Sequence, residues 1–180
     1  VEVTRKLISG GVVKPESVGA IGISYQMHGL VAVDAAMKPV RPAIIWCDSR
    51  AAAIGEKAFA EIGGQRCLTN LLNSPGNFTA SKLKWVKDNE PELYRRVYKI
   101  MLPGDYIAMK LSDEIQTTVS GLSEGIMWDF KENSLANLLF ENYGFSSDII
   151  PEIVPTFAVQ SQISAKMASE LRIKTKTTIS

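Results

Sequence analysis

The chain is organised around the stretch Val18-Gly-Ala-Ile-Gly-Ile-Ser-Tyr-Gln-Met-His-Gly-Leu-Val-Ala-Val33. Two apolar runs, at residues 18–23 and 30–33, flank a polar turn that carries the only histidine of the sequence. Small and β-branched residues bounded by glycine predict a buried strand for each run. Gln26, Met27 and His28 then lie at the end of a core strand, where open α/β sheets bind their ligands. A single histidine in a turn also suits a solvated strand end, so both interpretations stay open here.

The composition argues against several classes of protein. A chain of 180 residues suits one domain, or one domain with an appendage. Its 20 basic and 19 acidic residues leave a net charge of +1, which argues against binding to nucleic acid or to an acidic membrane surface. No apolar run approaches the length of a membrane span, and no signal-peptide pattern is present. We therefore expect a cytoplasmic protein without nucleic-acid or membrane partners.

The cysteines do not indicate a metal site. Cys47 and Cys67 lack the spacing of metal ligands, and the sequence offers one histidine to accompany them. This pattern argues against zinc and fits two reduced thiols. The sequence also lacks a P-loop, a GxSxG string and an HExxH string, so no motif carries a complete chemistry by itself.

Further periodic segments predict alternating strands and helices. A third strand is expected over 42–46, after which Asp48 or Ser49 caps a helix over 50–62 that ends at Gly63. Asp48 is equally well interpreted as a polar group facing the cleft of His28. Thr79 is expected to cap a helix over 80–87, and Ser134 to cap another that ends at residue 143. The chain begins within a predicted helix and ends within a predicted strand over 175–180, so we expect a fragment truncated at both ends.

Five short strings together resemble the FGGY carbohydrate kinases, and most closely their xylulokinase branch. They occur in the order and at the spacing of that family, and the resemblance covers about residues 15–180. Gln-Met-His-Gly is the string that separates xylulokinases from glycerol kinases. The strings are Ile23-Ser-Tyr-Gln-Met-His-Gly29, Arg41-Pro-Ala-Ile-Ile-Trp-Cys-Asp-Ser-Arg50, Phe78-Thr-Ala-Ser-Lys-Leu-Lys-Trp85 with Glu90-Pro-Glu, Met101-Leu-Pro-Gly-Asp-Tyr106, and Thr118-Val-Ser-Gly-Leu-Ser-Glu-Gly-Ile-Met-Trp-Asp129.

The resemblance implies an α/β, ribonuclease-H-like domain of the actin and hexokinase type, with a mixed sheet and helices. Residues 1–180 would form most of the N-terminal, sugar-binding domain. In such kinases the sugar binds deep in this domain and ATP binds mostly on a second one, with Mg²⁺ neutralising the phosphates. The implied reaction transfers the γ-phosphate of ATP to D-xylulose. The resemblance is also compatible with a homodimer.

The resemblance further implies which residues contact the sugar. Met27 and His28 match the sugar-binding pair, Trp46 matches the aromatic ring that packs on the carbon skeleton, and Asp48 and Asn77 match positions near the pocket. The sequence departs from the family pattern at Tyr25, Cys47 and Gly104, and an extra residue before Phe78 shifts the register of Asn77.

The residues that run the chemistry would lie outside this chain. The Asp-x-Gly-Thr phosphate loop of the family would precede Val1, and its catalytic Asp would follow Ser180. No catalytic residue is therefore expected among these 180 residues. Three alternatives stay open: a kinase for another sugar of similar size, a non-catalytic actin-like binding module, and a hydrolase that uses His28 with Asp48. The hydrolase lacks a nucleophile in any motif context.

Overall fold

The computed structural model describes residues 2–179, which form short strands surrounded by helices. The helices are α1 Glu2–Ser9, α2 Ala52–Ile62, α3 Gly64–Asn70, α4 Thr79–Asn89, α5 Pro91–Tyr94, α6 Pro103–Ser112, α7 Val119–Glu124, α8 Asn137–Tyr143 and α9 Ala165–Leu171. The strands are β1 Ala20–Ile21, β2 Val31–Val33, β3 Lys99–Met101, β4 Gln116–Thr118, β5 Trp128–Asp129, β6 Ser134–Leu135, β7 Glu152–Val154, β8 Ser161–Gln162 and β9 Thr178–Ile179. Within residues 2–179, none of the helices has both the length and the apolar character needed to cross a bilayer.

Parallel and antiparallel strand pairs both occur, which confirms the predicted mixed α/β architecture. The strand order β1-β9-β8 forms one sheet, in which β1 runs parallel to β9 and β8 runs antiparallel to it. Three two-stranded pairs complete the strands: β2 with β3 and β5 with β6 are antiparallel, and β4 with β7 is parallel. A domain of this class buries one face of each pair against helices.

Separate apolar clusters support the two ends of the stretch 18–33; beside the two described next, a third packs Val31 and Val33 against Met101 and Met109. The larger cluster packs Leu30 and Ala32 against buried residues of α4 and α8, including Leu83 and Leu139. The smaller cluster lies under the β1-β9-β8 sheet and is built from buried residues of α6, α9 and the strands, with Val18 and Ile21 packed at its margin. The polar turn around His28 therefore lies between two cores.

The prediction of a buried strand over 18–23 is wrong. Only Ala20 and Ile21 form a strand, and residues 18–25 are half-buried or exposed. Within the described residues, β1 hydrogen-bonds to a neighbour on one side only, so its backbone is not enclosed. The prediction for 30–33 is confirmed: β2 is fully buried, because β3 pairs with one edge and two isolated bridges, Leu30 to Ile44 and Val33 to Pro39, cover the other.

The third predicted strand, over 42–46, is also wrong apart from the bridge at Ile44. Pro42 lacks an N–H group for a ladder. The N–H of Trp46 donates instead to Oε1 of Gln26 at 3.0 Å, so this segment is fixed by side chains.

Helix positions were predicted better than helix caps. α2 ends at Ile62, directly before Gly63, and α8 ends at Tyr143, both as expected. Thr79 does not cap α4: it lies inside the helix, and its hydroxyl donates to the carbonyl of Gly29 at 3.3 Å. Ser134 lies in β6, and Ala136 precedes α8.

Candidate functional site

The turn at residues 26–29 has an unusual backbone that fixes the position of His28. His28 has a φ of 61°, in the left-handed region that residues with a side chain rarely adopt. Such a conformation persists only where surrounding contacts hold it, and it is found most often at ligand sites. The contacts of the His28 backbone and ring therefore show how this turn is held in place.

Lys82 joins the turn to the second string. It is fully buried on α4, and its ammonium group donates to the carbonyl oxygens of His28, at 2.9 Å, and Trp46, at 3.4 Å. Burial lowers the pKa of Lys82, because a desolvated ammonium loses hydration, while the nearby carboxylate of Asp48 acts in the opposite direction. The charged lysine thus fixes two loops that are distant in sequence.

Asn77 makes a third connection within this junction. Its amide Nδ2 donates to the backbone carbonyl of Asp48 at 2.6 Å. Its Oδ1 is buried and has no hydrogen-bond partner among the described residues. The loop before it packs against α2 so closely that a Cβ on Gly55 would lie 1.8 Å from the oxygen of Gly76, so only glycine fits there. The placement of Asn77 near the sugar pocket stays a prediction.

Asp48 does not cap α2, which starts after Ala51 without a side-chain cap. Its carboxylate accepts the backbone N–H of Arg50 at 3.1 Å and two guanidinium bonds at 2.9 and 2.7 Å. These hydrogen bonds from Arg50 lower the pKa of Asp48 to about 2. Arg50 is itself held 4.5 Å above the ring of Trp85. A carboxylate bound in this way binds donors well and is a weak base.

Met27 and Trp46 present apolar surface beside this junction. Their exposed fractions are 53% and 59%, although both are large hydrophobic residues. Aromatic and thioether groups left in contact with water next to ordered polar groups are typical of binding surfaces.

His28 lines a cavity of about 230 Å³. The imidazole meets the ring of Phe78 edge-on, with centroids 4.4 Å apart. Its Nδ1 lies 3.0 Å from the carbonyl oxygen of Glu124 and 3.6 Å from the carboxylate of the same residue. Because a carbonyl oxygen only accepts, Nδ1 carries the proton and Nε2 of the neutral ring is an acceptor.

A second cavity, of about 640 Å³, lies far from these residues, between α1 and α9. It is lined by Arg5 and Glu170, which form an ion pair, and by none of the five predicted site residues. The smaller cavity is lined by one of the five, His28, together with the polar side chains of Asn73, Ser123 and Glu124, so we consider it the candidate site.

Tyr25 and Gly104, two of the positions at which the sequence departs from the family strings, contact each other. A Cβ on Gly104 would lie 2.2 Å from the ring of Tyr25, so the aromatic ring occupies the space that a side chain at 104 would need. Burial, together with the carboxylates of Asp105 and Glu124, raises the pKa of Tyr25 to about 12, which keeps its hydroxyl neutral. Tyr25 and Gly104 therefore compensate each other at the edge of the site.

Hydrogen bonds connect four of the five predicted residues in two sets: Lys82 donates to the carbonyls of His28 and Trp46, and Asn77 donates to the carbonyl of Asp48. Met27 belongs to the turn and points into solvent. Sequence reasoning missed Lys82, Phe78 and Glu124. Lys82 falls on the apolar face of α4 with Thr79, Leu83 and Val86, a helical spacing that would have indicated its burial.

The described residues do not fit a protein-held metal. Within 2–179, no three His, Cys, Asp or Glu side chains are grouped so that they could hold an ion. We therefore assign no metal ligand to this part of the chain.

Comparison with known proteins gives consistent matches over the whole chain. The family model described as "FGGY family of carbohydrate kinases, N-terminal domain" matches residues 1–180. A xylulose kinase of Staphylococcus xylosus is 35% identical over 158 residues, covering 85% of this chain and 32% of that protein. The chain thus spans about a third of the length of the curated relatives it matches.

Solved structures share the fold. A xyloylose kinase from Brucella ovis superimposes with a TM-score of 0.86 at 25% identity, over 97% of this chain and 36% of the other. A xylulose kinase from Rhodospirillum rubrum gives a TM-score of 0.88 at 20% identity, over 98% of this chain and 36% of the other. The predicted actin-like and hexokinase-like α/β fold is therefore confirmed.

Proposed function

Because this chain belongs to the FGGY family of carbohydrate kinases, we propose that it forms the sugar-binding side of an ATP-dependent kinase that phosphorylates D-xylulose. The small-molecule substrate is a pentulose, and the product is its 5-phosphate. The observation that carries the proposal is the junction at Lys82, which holds the carbonyls of His28 and Trp46 together beside a cavity of about 230 Å³.

In this proposal His28 binds the sugar and does not remove its proton. Glu124 holds Nδ1–H, so Nε2 is free to accept a hydrogen bond from a sugar hydroxyl. The left-handed backbone and the edge contact with Phe78 fix the ring, which reduces the ordering cost of binding.

None of the other four predicted residues lines the cavity at His28; in this proposal they contact the sugar where it extends beyond that cavity. Trp46 and Met27 supply apolar surface for the carbon skeleton. Asp48 supplies a carboxylate held ionised by Arg50, which suits hydroxyl donors and leaves it poorly suited to be a general base. Asn77 brings a buried acceptor without a partner in the described residues, and a hydroxyl close to the turn would satisfy it after a local shift.

ATP and Mg²⁺ enter this proposal through parts of the protein beyond the described residues. Phosphoryl transfer needs in-line positioning, neutralisation of phosphate charge and orientation of the attacking hydroxyl. The residues of this chain contribute the last of these: they bind and orient the sugar. We place the catalytic Asp after Ser180, in the two thirds of the relatives' length that this chain does not span.

Binding of the sugar can be followed by NMR at the imidazole ring of His28. His28 is the only histidine, so the chain labelled with ¹⁵N-imidazole histidine gives the signals of one ring. We expect D-xylulose to shift the Nε2 resonance, and glycerol at the same concentration to shift it much less. Unchanged imidazole signals at tens of millimolar D-xylulose would contradict the proposed sugar site.

The chain alone should not turn over. We expect no release of ADP above background in a coupled assay with D-xylulose and ATP, because loss of a general base alone typically lowers the rate by about 10² to 10⁴. Turnover near about 1–100 per second, the range of kinases, would show that the catalytic groups lie within residues 1–180.

A further inference from the structure

The cavity beside His28 contains one carboxylate and no cationic side chain. Glu124 is the only acidic residue that lines it, and its remaining lining is His28, Asn73, Ser123 and apolar groups. The side chains of His28 and Glu124 are 31% and 39% exposed, so both reach the cavity and are partly shielded from water. A ligand in this cavity would therefore lie within the field of an uncompensated negative charge.

The imidazole of His28 and the carboxylate of Glu124, which both line the cavity, present hydrogen-bond acceptors to a ligand. Nδ1 of His28 donates to the carbonyl of Glu124, which leaves the unprotonated Nε2 toward a ligand. The carboxylate of Glu124 also only accepts when ionised. A hydroxyl of a neutral sugar can donate to either group, whereas a carboxylate of a sugar acid has no proton to donate.

The cations of the junction do not compensate Glu124. The ammonium of Lys82 donates to the carbonyls of His28 and Trp46. The guanidinium of Arg50 is paired with Asp48. Neither Lys82 nor Arg50 lines the cavity.

We propose that Glu124 is a specificity-determining residue that makes this cleft select uncharged sugars over sugar acids. The inference rests on the function proposed above and names its substrate class more closely. Like charges in a partly shielded site repel each other at an effective dielectric constant well below that of water. Since Glu124 is partly exposed, we expect the discrimination that it provides to be about fivefold to tenfold in affinity.

The test compares two five-carbon ligands that differ in charge, D-xylulose and D-xylonate. Their affinities are measured from the imidazole signals of His28 in the 180-residue chain, at one fixed pH for all proteins. The variant is Glu124→Gln, which removes the charge and keeps the size and the backbone carbonyl. Glu56→Gln, at an exposed position of α2, removes the same charge elsewhere.

We expect Glu124→Gln to raise the affinity for D-xylonate about fivefold to tenfold while the affinity for D-xylulose changes less than about twofold. Glu56→Gln should change neither. If D-xylulose binds and the affinity for D-xylonate is the same in all three proteins, the charge selectivity is wrong and the sugar site stands. If the Glu124 variant gains D-xylonate binding but D-xylulose does not bind, the selectivity holds and the proposed substrate is wrong. If neither ligand binds to any of the proteins, both proposals fail.

Discussion

The two apolar runs that flank His28 have similar compositions and different environments. Residues 30–33 are completely buried, whereas residues 18–25 are half-buried or exposed. The run at 30–33 is paired on both edges, by β3 and by the bridges to Ile44 and Pro39. The run at 18–25 contributes two residues to a strand, and in the described part of the chain that strand pairs with β9 alone.

The difference shows that an apolar sequence acquires a buried strand from its neighbours. Backbone groups in a core must all find partners, and only β2 has partners on both sides. The turn between the runs is anchored on the buried side, through Lys82 to the carbonyl of His28. We expect the site to depend on the second run far more than on the first.

The largest expected effect comes from shortening one apolar side chain in each of the two runs and comparing the two losses of stability. Leu30→Ala removes a buried side chain from the main core and should lower the free energy of unfolding by about 2–5 kcal/mol. Ile21→Ala, at the margin of the smaller cluster, should cost less than about 1.5 kcal/mol. Urea denaturation followed by tryptophan fluorescence measures both. Equal losses would mean that pairing does not explain the difference in burial.

The next effect tests the anchor of the turn. Lys82→Met keeps most of the apolar stem and leaves two carbonyl groups without their donor, so we expect a loss of about 2–3 kcal/mol. Lys84→Met on the same helix removes an ammonium that pairs with Asp88, one helical turn later, and should cost about 0.3–0.5 kcal/mol. Denaturant midpoints of the two variants decide this point, and a Lys82 variant as stable as the Lys84 variant would contradict the anchoring role.

The third prediction, for the full-length protein, distinguishes a role of His28 in sugar binding from a role in the chemical step. His28→Ala should raise the KM for the sugar about tenfold to a hundredfold, with a smaller fall in kcat, because a hydroxyl loses its partner in the cleft. The KM for ATP should hardly change. His28→Gln, which retains an acceptor, should recover part of the loss. A collapse of kcat at constant sugar KM would place His28 in the chemical step.

The smallest effect is a pH dependence of stability that comes from Asp105, in the first turn of α6. Burial raises its pKa to about 6, although hydrogen bonds from the backbone of Leu102 and the hydroxyl of Thr117 favour the carboxylate. The folded state therefore binds a proton more tightly than the unfolded chain, so stability from this group rises as the pH falls through 6 toward the unfolded value of 3.8.

Between pH 7 and pH 5 we expect the free energy of unfolding of the wild type to gain about 1 kcal/mol relative to Asp105→Asn. Urea titrations of the two proteins at both pH values give this difference directly. A wild-type protein that follows the same pH dependence as the variant would show that Asp105 titrates normally.

The fold class could be predicted, and the candidate site proposed, because the five strings lie where the structure has specific contacts. The turn at His28, the Trp46–Asp48 loop and the helix of Lys82 are all within them. The environment of the run 18–23 could not be predicted, because its burial depends on strand neighbours, which no local pattern encodes. In the sequence, Tyr25 and Gly104 are two separate departures from the family pattern. In the structure they are in contact, because the ring of Tyr25 occupies the space that a side chain at Gly104 would need.

The details of the site were less predictable than its position. Whether Asp48 capped a helix or bound Arg50 depended on where α2 begins, and helix boundaries are poorly determined by sequence. Glu124 reaches His28 from the end of α7, 96 residues further along the chain. No periodic signal relates these two positions.

The parallel pairing of β1 with β9 has a consequence for synthesis of the protein. Ala20 is opposite Thr178, so this sheet cannot close until residue 178 has left the ribosome. The contacts of β2 with β3 are complete once residue 101 has emerged. At about 5–20 residues per second, roughly 10 to 30 s separate the emergence of Ala20 from that of its partner. During that interval the apolar residues of the first run lack their partner strand β9, and a chaperone can bind this nascent segment.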